Sequence, residues 1–291
     1  MGEFNGVLKS FELYSYSSLH VPLVTRWLLE RVMGVDGIVF LSLDLGKTSV
    51  PVQIKRGMIS LEGLSYPVEE ILGHIEYGDV YLLAGGRYGK VAMFRDGFYY
   101  RLYSVSPEDA PTVEISGIKM HRVVDTTPWR DAMSKVSLAN VSKGDRVLDI
   151  CTGLGYTAIH SLSRGGRVIS IELSRAVLDL AKYNPWSHDL EDIPIIVGDA
   201  YDVIQDLPRN FFNVVIHDPP RPSLAGHLYG KDFYKRVWKV LRPGGRMVHY
   251  IGRPGIKRGR DFARGVIRRL REVGFKVRKS FDTQCIYAVK I

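Results

Sequence analysis

The chain has 291 residues, is 45% hydrophobic and 24% charged, and carries a formal net charge of +9. That is the profile of a globular chain of one or two domains. No apolar run approaches the ~18 residues that cross a bilayer, the first residues lack the basic-then-apolar order of a secretory signal, and two cysteines give neither a disulfide framework nor a metal-ligand spacing. A membrane span and a metal site are therefore not expected, and a reducing, cytoplasmic setting is.

Residues 1–122 alternate β-branched and aromatic runs with Gly, Asp and Pro turns, as in "DGIVFLSLDLG", "VPVQIKRG" and "DVYLLAGGRYGKVAMFRDGFYYRLYSV". Such runs predict short antiparallel strands. Helices are expected near Pro22–Met33 and Val68–Ile75, so this segment reads as a smaller α+β domain.

Residues 123–291 change character to strand, helix, strand, helix. "RVLDIC", "RVISIE", "IPIIVG", "FNVVIHD" and "GRMVHYIG" are apolar strands. Between them lie "GYTAIHSLSR", "SRAVLDLAKY", "DAYDVIQDL" and "GKDFYKRVWKVL", and a basic helix follows from about Arg258 to Val273. Apolar strands with helical crossovers imply a parallel sheet covered on both faces. Right-handed crossovers make it doubly wound. "KVRKSFD" and "CIYAVKI" are separated only by "TQ", so the final strand is expected to be antiparallel. The expectation is an α/β, Rossmann-like sheet of seven strands.

Ligands of such sheets bind beyond the carboxyl ends of the strands, where strand order reverses. The first strand ends in "LDICTGLGYTA", whose Gly153 and Gly155 let the backbone turn tightly and approach a ligand. Glu172 ends the second strand, where a carboxylate can accept two ribose hydroxyls. Asp199 and Ala200 follow the third, where a carboxylate and an amide can face an adenine edge. Gly153, Gly155 and Ala158 also fit a dinucleotide fingerprint. Asp149 argues against that, because a carboxylate there suits a cationic ligand and disfavours a pyrophosphate. Thr152 is either part of this loop or a helix cap, and Cys151 reads as a small buried residue.

The fourth strand ends in "HDPPR". Pro219 and Pro220 fix φ and remove two backbone donors. What remains is a rigid rim of acceptors, the Asp218 carboxylate and the Pro219 carbonyl. It suits a planar amine with two N–H donors. His217 reads equally as a substrate contact or as interior filling, and Arg221 or Tyr250 could stack on a planar substrate. From Arg253 to Lys279 there are eleven Lys or Arg and two acids, which accounts for the whole net charge. Such a zone suggests a polyanionic partner.

The order Asp149, Gly153, Gly155, Glu172, Asp199, then Asp-Pro-Pro resembles the class I S-adenosylmethionine-dependent methyltransferases, from about Thr127 to Ile291. The resemblance implies that Asp149, Thr152, Gly153 and Gly155 line the methionine part of S-adenosylmethionine, that Glu172 holds its ribose, and that Asp199 with Ala200 reads its adenine. Asp-Pro-Pro resembles the Asn/Asp/Ser-Pro-Pro-aromatic motif of amino-methyltransferases, with Arg221 in place of the aromatic. "DICTGLGYTA", "NPWS", "HDPPRPSLAGHLYGKDFY" and "HYIGRPG" together are similar to an archaeal methyltransferase family often labelled spermine-synthase-like. That resemblance implies dimethylation of a cytidine N4 in small-subunit ribosomal RNA, with the amino-terminal domain helping to grip RNA. A polyamine aminopropyltransferase, or a methyltransferase acting on a small amine, is the competing reading.

Overall fold

The computed structural model describes residues 4–252 and 262–291. Contacts group the chain into two units. One comprises Met1–Tyr16, Asp131–Arg175 and Asp189–Ile291; the other comprises Ser17–Arg130 and Ala176–His188.

The first unit is built on a seven-stranded sheet. Its strands are β1 (Arg146–Ile150), β2 (Arg167–Glu172), β3 (Ile195–Val197), β4 (Phe212–His217), β5 (Leu241–Tyr250), β6 (Phe275–Ser280) and β7 (Cys285–Lys290). They lie in the order β3-β2-β1-β4-β5-β7-β6. The first five are parallel, and β7 runs antiparallel to both β5 and β6. Strand order reverses between β1 and β4, and that seam is where such sheets bind ligands. All six residues of β4 are buried, as the run Phe-Asn-Val-Val-Ile-His requires of a strand covered on both faces. Helices α1 (Pro128–Ala139, for the most part), α2 (Tyr156–Ser163), α4 (Ala200–Val203), α5 (Pro222–Ala225), α6 (Lys231–Val240) and α7 (Phe262–Val273) belong to this unit, and α3 (Arg175–Ala181) falls almost wholly in the other. On α7, Val266 and Leu270 are buried, with Phe262 and Ile267 packed against the same core. The expected helix start at Arg258 and the "RPG" of "HYIGRPG" lie outside the described residues.

The second unit contains three antiparallel sheets. One joins Leu23–Thr25, Val80–Ala84 and Arg87–Lys90; one is a meander from Gly37–Leu41 to Leu64–Pro67; one joins Ile118–Lys119, Thr112–Ile115, Phe98–Tyr103 and Ala92–Arg95. Its helices include Arg26–Val32, Val68–Leu72 and most of α3. The expected helix at Pro22–Met33 is thus shortened, because Leu23–Thr25 pairs as a strand with Val80–Ala84.

Set beside a division at 122/123, residues 1–16 group with the sheet, and 123–130 and 176–188 group with the second unit. The Tyr14 amide donates to the Ile195 carbonyl and the Val197 amide to the Glu12 carbonyl, which ties residues 12–14 to the β3 edge. In the second unit the Trp186 indole donates to the Leu45 carbonyl at 3.0 Å, and Lys47 Nζ donates to the Pro185 carbonyl. Among the described residues no helix is long and apolar enough to cross a membrane.

Candidate active site

The loop after β1 folds back through left-handed backbone at Cys151 (φ 68°), Gly153 (φ 56°) and Gly155 (φ 83°). A Cβ on Gly155 would lie 2.5 Å from Leu190 Cδ2, so both backbone and space require glycine there. Gly155 precedes α2 without a side-chain cap, and Thr152 does not serve as one. Instead the Thr152 hydroxyl meets the Ser170 hydroxyl at 2.6 Å.

Asp149 is fully buried at the base of this loop. Thr157 Oγ1 donates to Asp149 Oδ1 and Ser170 Oγ to Oδ2, each at 2.6 Å. Because Ser170 spends its proton on Asp149, Thr152 is the donor in their contact. The chain Thr152–Ser170–Asp149–Thr157 braces the turn from inside. Asp149 therefore supports the loop rather than presenting its oxygens directly to a ligand. Burial pushes its pKa up to about 6, although the two hydroxyls pull the other way. Burial likewise pushes the Cys151 thiol well up, which suits a packing residue and not a nucleophile.

Glu172 accepts the Gly153 amide on Oε2 and the Ser174 amide on Oε1, both at 2.9 Å. Burial raises its pKa, offset in part by these amides. Asp199 caps α4, accepting the Tyr201 amide at 2.8 Å. His227 Nε2 lies 3.0 Å from Asp199 Oδ2, a partner that sequence alone did not suggest. Ala200 is buried beside this cap.

At the end of β4 two adjacent residues diverge. The His217 ring is fully buried and stacks on His249 at 4.3 Å, with Phe233 at 5.0 Å. No hydrogen bond reaches either of its ring nitrogens among the described residues. Burial, with His249 beside it, holds its pKa well below the ordinary histidine range. Of the two readings of His217, its burial and its ring contacts favour interior filling. Alternation along the strand sends the next side chain the other way. Asp218 is 20% exposed, and its Oδ2 accepts Lys135 Nζ at 2.6 Å. Pro219 is buried, and the Pro220 carbonyl accepts the Tyr229 hydroxyl at 2.9 Å. Arg221 is exposed and directly precedes α5.

Lys135 was invisible as a site residue in the sequence. It is almost completely buried on α1, pairs with Asp131 at 2.7 Å as well as with Asp218, and sits 4.0 Å from the Tyr250 ring centroid. Burial alone would lower its pKa, but the two carboxylates raise it above the ordinary lysine value. The group is a permanent cation. Tyr250 is pushed up to about 12 by burial, so its hydroxyl stays protonated.

Residues 147–245 match the family model described as "Methyltransferase domain". An uncharacterized Methanocaldococcus jannaschii protein, MJ1233, is 46% identical over 262 residues, covering 87% of this chain and 89% of that one. A second protein of that organism, MJ1649, named provisionally as a ribosomal RNA large subunit methyltransferase, is 38% identical over 87 residues, 28% of this chain and 22% of that one. In fold the chain is similar to a spermidine synthase solved with the transition-state analogue AdoDATO, with TM-score 0.56, 22% identity, and coverage of 69% of this chain and 73% of that one. With this sheet, this loop and a relative matched along nearly its whole length, the chain belongs to the MJ1233 family and is an S-adenosylmethionine-dependent methyltransferase.

Proposed function

We propose that the chain methylates an exocyclic amine of an RNA base, with cytidine N4 of small-subunit ribosomal RNA as acceptor and two transfers to the same nitrogen. The observation that carries this reading is Asp218, held by Lys135 through Oδ2 at the sheet's switch point and followed by two prolines.

The donor set fits S-adenosylmethionine. Glu172 uses one acceptor site on each oxygen for amides, which leaves others for ribose hydroxyls. Asp199 is held in place by the Tyr201 amide. When bound, the cofactor supplies an electrophilic methyl, whose bond to sulfur breaks with the pair going to sulfur as the bond to the acceptor nitrogen forms. The rest of the task is positioning and electrostatics. Asp218 Oδ1 and the Pro219 carbonyl accept the two N–H bonds of a planar amine and turn its lone pair toward the methyl. The methylated nitrogen carries one proton too many, and Oδ1 is the base placed to take it and pass it to water.

RNA as the partner is supported by the arginines of α7, where Arg264, Arg268 and Arg271 are exposed, and by the name of MJ1649. Aminopropyl or methyl transfer to a polyamine is the second reading, and one observation favours it: Asp131 is a second acid at the corner. The ammonium between the two acids opposes it.

The test is full-length protein with methyl-labelled cofactor and small-subunit ribosomal RNA from cells lacking the gene, followed by nucleoside mass spectrometry. Dimethylated cytidine is expected. Asp218→Ala should retain cofactor affinity and lose at least about 100-fold in rate. Labelling of putrescine and not of RNA, or a near wild-type rate in Asp218→Ala, would overturn the reading.

A further inference from the structure

We infer that Lys135 is the positioning residue that selects a neutral amine over a protonated one, an inference that rests on Asp218 being the acceptor-side residue. An ammonium has three donors and no acceptor. Two of the Lys135 donor directions go to Asp131 Oδ2 and Asp218 Oδ2, and the cation also meets the face of the Tyr250 ring. The buried cation is fully committed, and it holds the Asp218 carboxylate by a charge-assisted bond. Pro219 and Pro220 fix the backbone on the other side. No described residue bonds Asp218 Oδ1, so one oxygen of known direction is left for a substrate.

That arrangement discriminates by charge. A protonated aliphatic amine seeking Oδ1 meets a cluster whose three charges sum to −1, and the buried Lys135 ammonium weakens its attraction relative to two bare carboxylates in a region where screening is weak. A ring amine whose lone pair is delocalised brings two N–H donors and no charge. It uses the same oxygen and loses nothing to the Lys135 charge, and specificity of this kind depends on the repulsive element as much as on the attractive one.

The experiment uses full-length protein, putrescine as the cationic probe and small-subunit ribosomal RNA as the neutral-amine acceptor. Calorimetry should show putrescine binding Lys135→Met at least about tenfold more tightly than wild type. On RNA, Lys135→Met should lose about 100-fold in kcat with the cofactor Kd unchanged, and Lys135→Arg should recover most of that loss. Should Lys135→Met fail to melt cooperatively, Lys135→Gln, which removes the same charge but keeps a hydrogen-bonding side chain at the corner, should show the same gain for putrescine. Equal putrescine affinity in wild type and in the folded variant overturns the inference. A wild type that labels no RNA, beside variants that gain putrescine affinity, sinks the RNA reading and leaves the role of Lys135 standing.

Discussion

Replacing Asp149 with asparagine removes the charge from the carboxylate that β1 carries into the interior. Burial moves this group from an ordinary 3.8 to about 6. A shift of about two units at ~1.36 kcal/mol each amounts to roughly 3 kcal/mol of folding free energy spent on keeping Asp149 ionised at pH 7. The sign follows from proton binding. Between pH 4 and 6 the folded state holds the proton more tightly than the unfolded chain, so wild-type stability rises on acidification and falls as pH climbs through 6. Asparagine keeps the shape, but its NH2 must face one of two hydroxyls that now donate to Asp149, and turning Ser170 around costs about 1 kcal/mol. Asp149→Asn should therefore be more stable than wild type by about 2 kcal/mol at pH 7 and lose that advantage near pH 4, while binding the cofactor more weakly. Urea unfolding of both proteins from pH 7 to pH 4 measures the difference. Glu172 is also raised, but it titrates in both proteins and cancels. Equal stability at pH 7 with parallel pH profiles would refute the reasoning.

Gly155→Ala meets a left-handed backbone cost of ~1–2 kcal/mol and a Cβ 2.5 Å from Leu190, for a total of about 3 kcal/mol in urea unfolding. A double-mutant cycle with Leu190→Ala should return the steric part and not the backbone part. Changing Arg264, Arg268 and Arg271 together to glutamine should reduce the slope of log affinity for single-stranded RNA against log salt by about 2, with stability unchanged within ~0.5 kcal/mol because all three are exposed. An unaltered slope in filter binding would remove α7 from the RNA interface.

The seven-stranded sheet was legible because its signals are local: apolar strands, helical crossovers, and a final turn too short for anything but an antiparallel return. Glu172, Gly153 and Gly155 were legible for the same reason, since each closes a strand or opens a helix. What was not legible depends on distance along the chain. Lys135 looks like any lysine four residues after an aspartate, and only the fold carries it to Asp218. Asp149 was identified as part of the site, but its inward role depends on Ser170, which the sheet places beside it from the neighbouring strand. His217 stayed ambiguous because strand alternation is clear only once both faces of the sheet are known to be covered. The attachment of residues 12–14 to β3 is edge pairing, which carries no sequence signature.

β7 lies between β5 and β6, although β6 precedes it in the chain. β6 is therefore the outer strand at that end of the sheet, joined to the rest only through β7. It carries Lys276, Arg278 and Lys279, all exposed, and charges on an edge strand keep it from pairing with other chains. Arg278 also lies over the Tyr287 ring of β7 at 4.6 Å, so one cation both guards the edge and fastens it to its neighbour.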